Sequence, residues 1–254
     1  MTAALEIRDL QKSFGGVRAT NNVSLTFEAG SLAAVIGPNG AGKSTFFNLI
    51  SGALRPDYGT VRVEGRDIVG LSRAEIVKLG IARAFQVASL FSTFTVGDSL
   101  LAAVTSGLDQ SERMLSRFPP PQASSRAEEV ADMLGLTSKW RTKSSTLSHG
   151  DQKLLDIAIA LVREPRVLLL DEPTAGMGPD ERWRMIEKVR EMWTRQKITV
   201  VFIEHDMDIV FAVAPRICVL CYGEIIADGT PDEIRANARV IEAYLGTPNA
   251  EAPP

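Results

Sequence analysis

Gly37-Pro38-Asn39-Gly40-Ala41-Gly42-Lys43-Ser44 lies between the apolar run Leu32-Ala33-Ala34-Val35-Ile36 and the stretch Thr45-Phe46-Phe47-Asn48-Leu49-Ile50. The eight residues fit G-x-x-x-x-G-K-[ST], and the flanks read as a strand before them and a helix after them. Glycines let the backbone curl so that successive N–H groups point inward at a polyphosphate. The helix that follows aims its positive dipole end at the same anion. Lys43 is placed to reach the β- and γ-phosphates and Ser44 to hold Mg²⁺. The plain alternative is a glycine-rich turn leading into a helix; the strand-loop-helix context favours a nucleoside triphosphate binder.

Working outward, the chain of 254 residues is long enough for one large domain or a core carrying a smaller lobe. Lys and Arg number 28 against 31 Asp and Glu, a net charge of −3 without a basic block, which disfavours a polyanionic partner such as nucleic acid. Met1 to Asp9 shows no basic segment followed by an apolar one, and no apolar run approaches the roughly 20 residues that cross a bilayer. A soluble, cytosolic chain is expected. Cys218 and Cys221 form a C-x-x-C, readable as a redox pair or half a metal site. They sit in the strand-like Arg216–Tyr222 without a second Cys/His pair, and a spacing of three puts them on opposite strand faces, so packing is the better reading.

Before the loop, Ala4–Leu10 and Val23–Phe27 read as short strands around the turn Phe14-Gly15-Gly16, with another strand-turn signal at Gly59–Gly65. An antiparallel β edge is predicted. From about Val87 to Lys143 the periodicity turns helical, in Val96–Val104 and Ala127–Leu134, interrupted by Phe118-Pro119-Pro120-Pro121. From Gly150 the apolar stripe Leu154, Leu155, Ile157, Ala158, Leu161 predicts a helix ended by Pro165. Val167–Leu170 and Ile198–Ile203 are continuous apolar runs joined through the helix-like Asp180–Arg195, the pattern of a parallel sheet covered on both faces. The sequence shows no internal repeat, and Thr247–Pro254 reads as a loose tail.

Asp171-Glu172-Pro173 follows the first of these buried strands, at the strand end where ligands bind in open α/β sheets. Asp171 fits the acid that holds Mg²⁺, and Glu172 one that orients or deprotonates an attacking water; carboxylates after a strand are also common helix caps. His205 follows the second strand, so parallel geometry brings it to the same edge, within reach of a γ-phosphate.

Together these residues resemble the ATP-binding subunits of ABC transporters over nearly the whole chain. Leu147-Ser148-His149-Gly150-Asp151 resembles that family's Leu-Ser-Gly-Gly-Gln signature. The resemblance implies that Ser148 and Gly150 contact the γ-phosphate of ATP held by the opposite subunit of a head-to-tail pair. Read alone, Ser148 is equally an N-cap. The resemblance also makes Gln86 a link between Mg²⁺, water and the membrane partner, Phe14 the residue stacking on adenine, and His205 the switch histidine. Gly37, Pro38, Asn39, Gly40, Ala41, Gly42, Lys43, Ser44 and Thr45 then form the nucleotide cradle. Catalysis falls to Glu172, His205, Lys43 and Gln86, and the metal to Ser44, Gln86 and Asp171. Two departures are visible: His149 and Asp151 replace a Gly and a Gln, and Gly178 stands where the family usually carries Asp.

Ser148-His149-Gly150-Asp151, Asp171–Pro179, Glu204–Asp208 and Glu242-Ala243-Tyr244-Leu245-Gly246 resemble most the subgroup serving branched-chain (hydrophobic) amino-acid importers, which also includes urea and short-amide importers. The implied fold is an α/β P-loop ABC ATPase with a parallel core sheet, an antiparallel β edge and a helical subdomain. It forms a single domain over 1–254, with core about 1–88 and 160–245, helical lobe about 89–159 and tail 247–254. The implied cofactors are ATP and Mg²⁺. The implied partners are transmembrane permease subunits, a second ATPase subunit and an extracytoplasmic substrate-binding protein, with no nucleic acid. The implied location is peripheral, on the cytoplasmic face of the plasma membrane. A soluble ABC ATPase acting on nucleic acid or ribosomes is the rival class. Such proteins tend to carry two ATPase domains or a long coiled coil, and neither appears here.

Overall fold

The computed structural model describes residues 3–84, 93–107 and 121–245. In chain order its strands are β1 (Ala3–Phe14), β2 (Val17–Glu28), β3 (Leu32–Ile36), β4 (Tyr58–Val63), β5 (Arg66–Asp67), β6 (Ile81–Ala84), β7 (Val167–Asp171), β8 (Thr199–Ile203), β9 (Arg216–Cys221) and β10 (Glu224–Gly229). The helices are α1 (Lys43–Ile50), α2 (Arg73–Lys78), α3 (Val96–Gly107), α4 (Pro121–Met133), α5 (His149–Leu161), α6 (Pro179–Gln196), α7 (Met207–Val213), α8 (Pro231–Arg235) and α9 (Ala238–Leu245).

Two sheets form. An antiparallel one runs β2-β1-β4-β5; the other runs β10-β9-β3-β8-β7-β6, with β9, β3, β8, β7 and β6 parallel and β10 antiparallel at one edge. Alternation along the parallel strands sorts their side chains into two layers. Ala34, Leu168, Val200, Phe202 and Val219 face a cluster shared with α3, α4, α5 and α6, while Val35, Leu169, Val201, Ile203 and Leu220 face one shared with α1 and the antiparallel sheet. Every residue of β3 and β8 is buried, which is why both read as continuous apolar runs.

The parallel core and antiparallel edge match the architecture expected from the sequence. The first hairpin differs in extent. β1 and β2 are 12 residues each, because backbone pairing continues past the apolar stretch to Phe14 and Val17. Asp57 anchors this extension, accepting from Lys12 Nζ at 2.6 Å and Ser13 N at 2.8 Å, and those bonds hold its carboxyl below the usual range. The helix expected at Ala127–Leu134 starts earlier, at Pro121, because proline suits the first helical position, whose N–H has no partner in the helix. Residues 118–120 and 247–254 lie outside the described residues. Cys218 and Cys221 are buried free thiols, and burial pushes both up, as packing residues require.

The described part of 93–159 is helical. α5 crosses residue 159 and packs on β6 and β7, so this helix belongs to both the lobe and the sheet. On α5, burial pushes the Asp156 carboxyl from its ordinary 3.8 up to about 7, against the opposing pull of Lys153. The folded state therefore holds this proton more tightly than the unfolded chain. Its contribution is complete below about pH 4 and fades as pH rises through 7. Asp156→Asn, which mimics the protonated form, is expected to melt higher than wild type at pH 8 and close to it at pH 4. Identical pH dependence of melting in the two proteins would contradict this assignment.

Candidate functional site

Register alone builds the site. Ile203, the last residue of β8, lies beside Val35 of β3 on one side and Asp171 of β7 on the other. The chain therefore leaves three neighbouring strands along one row: Gly37 after β3, Glu172 after β7, and Glu204 and His205 after β8. This is the carboxyl edge of an open α/β sheet, where such folds bind ligands.

At that edge the loop Gly37–Gly42 wraps into α1. Gly42 adopts φ 101°, and a Cβ there would run into the carbonyl of Ala19; a Cβ at Gly37 would meet the carbonyl of Leu220. Only glycine fits either place. Lys43 is 7% exposed, and its Nζ donates to the carbonyls of Gly37 at 2.7 Å and Pro38 at 3.0 Å, folding the side chain back over the loop. Burial lowers the Lys43 pKa, and the nearby carboxylates of Glu172 and Asp171 oppose that shift. The ammonium thus lies within electrostatic reach of both acids. Ser44 is exposed beside it, Thr45 partly so, and Pro38, Asn39, Gly40 and Ala41 complete the turn.

Asp171 ends β7. Its Oδ2 accepts from Arg83 Nη2, and Arg83 Nη1 donates to Asn48 Oδ1 at 2.7 Å, tying the acid to α1. Glu172 takes a left-handed conformation, φ 48°, which costs about 1–3 kcal/mol for a non-glycine residue unless its surroundings enforce it. Three bonds enforce it: Glu172 N donates to Ile203 O at 3.1 Å, and Glu172 O accepts from Ala175 N at 3.1 Å and Lys153 Nζ at 3.3 Å. The side chain is thereby turned toward His205, whose Nε2 lies 3.0 Å from Glu172 Oε1.

Ser148 is the N-cap of α5. Its Oγ accepts from Asp151 N at 3.2 Å and donates to Asp151 Oδ2 at 2.6 Å, and Asp151 also pairs with Lys139. The two departures from the common signature therefore have local work. Asp151 fastens the serine, and His149 reaches the Ala175 carbonyl, 3.1 Å from Nε2, joining α5 to the loop after β7. Gly178 is the N-cap of α6 and supplies no side-chain bond there; Pro179 at the first position and Asp180 and Glu181 in the first turn compensate.

Of the residues expected from the sequence, Lys43, Ser44, Asp171, Glu172 and His205 converge on one edge. Phe14 is half-exposed at the hairpin end, with Lys12 Nζ 5.7 Å from its ring centroid. Ser148 and Gly150 sit at the start of α5, and Gln86 lies outside the described residues. Arg83 and Lys153 were not expected. Their signal was a charge inside an otherwise apolar pattern, Ile81-Ala82-Arg83-Ala84 and the α5 stripe.

A strand, a glycine-rich loop gripping a lysine, and a row of carboxylates on neighbouring parallel strands define a phosphate-loop domain that binds nucleoside triphosphates. The chain belongs to the ATP-binding subunits of ABC transporters. The family model described as "ABC transporter" matches residues 20–175, and one described as "Branched-chain amino acid ATP-binding cassette transporter" matches residues 224–249. The chain is 37% identical over 250 residues to the high-affinity branched-chain amino acid transport ATP-binding protein LivG of Escherichia coli (strain K12), covering 95% of this chain and 97% of that one. It is 36% identical over 249 residues to BraF of Pseudomonas aeruginosa, named for the same transport, with 95% and 97% covered. Among solved structures, the ADP conformation of an ATP-binding cassette of an ABC transporter superposes with a TM-score of 0.85 at 30% identity, over 97% of this chain and all of that one.

ATP is accordingly the nucleotide. Lys43→Met removes a charged donor worth about 1.5–3 kcal/mol in such contacts, so ATP affinity is expected to fall about tenfold to a hundredfold. Titration with a fluorescent ATP analogue measures it; unchanged affinity would remove Lys43 from the site.

Proposed function

We propose that the chain is the Mg²⁺-dependent ATPase subunit that energises a membrane importer of branched-chain amino acids. The observation that carries the ATPase part is the Glu172–His205 pair held beside the phosphate loop, 3.0 Å apart. The cargo rests on the printed names of LivG and BraF and on the C-terminal family match at 224–249. Urea and short amides are the rival cargoes within the same subgroup.

In this reading the loop N–H groups and Lys43 bind the β- and γ-phosphates, and Phe14 stacks on adenine. His205 holds the γ-phosphate, and Glu172 orients or deprotonates the attacking water. Among the described residues no three His, Cys, Asp or Glu side chains cluster so as to hold a metal ion. The Ser44 hydroxyl and Asp171 carboxylate, with Gln86, are nonetheless the hard oxygen donors that suit Mg²⁺, an ion usually held by one or two carboxylates together with substrate phosphates. When bound, Mg²⁺ neutralises charge on the transferring phosphoryl group.

Ser148 and Gly150 reach the ATP of a second ATPase subunit, so that two subunits close on two nucleotides. Residues 1–254 act as one domain, core about 1–88 and 160–245 with a lobe about 89–159. No helix among the described residues is long and apolar enough to cross a membrane. Attachment at the cytoplasmic face through permease subunits, fed by an extracytoplasmic substrate-binding protein, suits such a chain. ATP drives the permease only through its different affinity for the open and closed pairs.

Glu172→Gln is expected to bind ATP as wild type does, to lose steady-state turnover, and to accumulate an ATP-trapped dimer by light scattering. Near-normal turnover in that variant would sink the assignment. The lobe is proposed to dock the permease, and Phe94, 39% exposed at its entrance, offers a probe. Phe94→Glu should weaken co-purification with permease subunits while leaving ATP binding intact; full recovery of the complex would move the docking surface elsewhere.

A further inference from the structure

Glu204 follows the fully buried strand β8 and is itself only 3% exposed, with both carboxylate oxygens hydrogen-bonded. Oε1 accepts from the amide of Thr174 at 2.8 Å and from its hydroxyl at 2.7 Å, and Thr174 is 2% exposed. Oε2 faces the amide of His205 at 3.2 Å. Three donors therefore converge on one acceptor-only group, two from the loop that carries Glu172 and one from the residue that follows Glu204. A buried carboxylate persists where its lone pairs are met, and here the two Thr174 bonds span the gap between the loops after β7 and β8 while the His205 amide holds the other oxygen within its own loop.

We infer that Glu204 is a positioning residue for ATP hydrolysis, a clamp that fixes the loop bearing Glu172 against the loop bearing His205. The inference rests on the reading of Glu172 and His205 given above. β7 and β8 already hold the strand ends in register, but the reacting side chains stand one and two residues beyond those ends, where ladder bonds stop. Glu172 N to Ile203 O is the last backbone link between the two strands. Beyond it, Arg182 of α6 bridges the Met177 carbonyl and Asp206 further out, and the Glu204–Thr174 pair is the buried link nearest the Glu172–His205 contact of 3.0 Å. A serine or threonine in place of Glu204 is too short to span from β8 to Thr174, so the carboxylate's reach is the property that matters.

The test uses the purified chain with Glu204→Gln, Thr174→Val and Thr174→Ser. Glutamine can satisfy Thr174 with its oxygen, but its NH₂ then confronts the His205 amide, donor against donor. Thr174→Val removes the hydroxyl bond while nearly conserving volume, and Thr174→Ser restores it. Misplacing a reacting group by about 1 Å costs on the order of a hundredfold, so Glu204→Gln is expected to lower kcat by about tenfold to a hundredfold, with ATP affinity changed by less than about twofold. Thr174→Val should move the same way by less, and Thr174→Ser should recover most of the loss.

A second readout needs no turnover. The chain has two histidines, so the ring ¹⁵N signals of His205 can be identified by subtraction with His205→Gln. The signature of a ring nitrogen bonded to Glu172 should be lost in Glu204→Gln and kept in Thr174→Ser. If Glu204→Gln does not fold, the Thr174 pair decides. Unchanged kcat and ring signals in folded variants would overturn the proposal, as would parallel losses of ATP affinity and melting temperature without a change in the ring signals. Glu172→Gln serves as the control: retained turnover there would defeat the underlying reading, whereas turnover lost there but kept in Glu204→Gln and Thr174→Val would defeat the clamp alone.

Discussion

The pairing of β8 with β3 on one side and β7 on the other is the constraint on which the rest depends. Parallel strands in register deliver their carboxyl ends to one line, so residues far apart in sequence emerge as neighbours: Lys43 after β3, Asp171 at the end of β7 and Glu172 just after it, His205 after β8. Positioning of this kind is most of what phosphoryl transfer asks of a protein, because little covalent chemistry falls to its side chains. The apolar layers on both faces of the sheet stiffen that line. A register slip of one residue in β8 would exchange Val200 and Phe202 for Val201 and Ile203 between two buried apolar layers, and it is the fit of side-chain shapes in a close-packed core that resists it.

Around this line the polar contacts form an interlocking set. Arg83 ties Asp171 to α1 through Asn48, so the acid and the helix behind the phosphate loop move together. Lys153 on α5 grips the carbonyl of Glu172, and His149 at the start of the same helix reaches Ala175 three residues on. The helix that begins with Ser148 is therefore fastened to the loop carrying Glu172 at two points. The two residues that depart from the common signature thus have structural work, Asp151 on Ser148 and His149 on the loop after β7.

Much of this was readable from residue types alone. The phosphate loop announces itself because its chemistry demands glycines and a lysine at fixed spacing, and the buried strands do so because strands covered on both faces lose polar alternation. Asp171, Glu172 and His205 were readable because they terminate such strands. The full length of β1 and β2 was not, since their outer halves are polar and pair through backbone and Asp57. β6 was hidden by its four residues and by Arg83 within it. The partners of Arg83, Lys153 and Glu204 depend on sheet order, which one sequence without structure leaves open; all three carried only the mark of a charge in an apolar setting. Phe14 and Ser148 drew their roles from resemblance, and their surroundings, a half-exposed ring and an N-cap, are consistent with a plain structural part as well.

The most direct test of the central claim, that one sheet edge gathers the groups for a single metal-bound nucleotide, is electron paramagnetic resonance of Mn²⁺ substituted for Mg²⁺, with phosphorus hyperfine coupling as the readout. The account predicts weak Mn²⁺ binding by the chain alone, tight binding with phosphorus coupling once ATP is added, and weaker retention of the metal by the ATP-loaded chain in Asp171→Asn. Tight Mn²⁺ binding without ATP, or ATP binding whose metal is indifferent to Asp171, would contradict it.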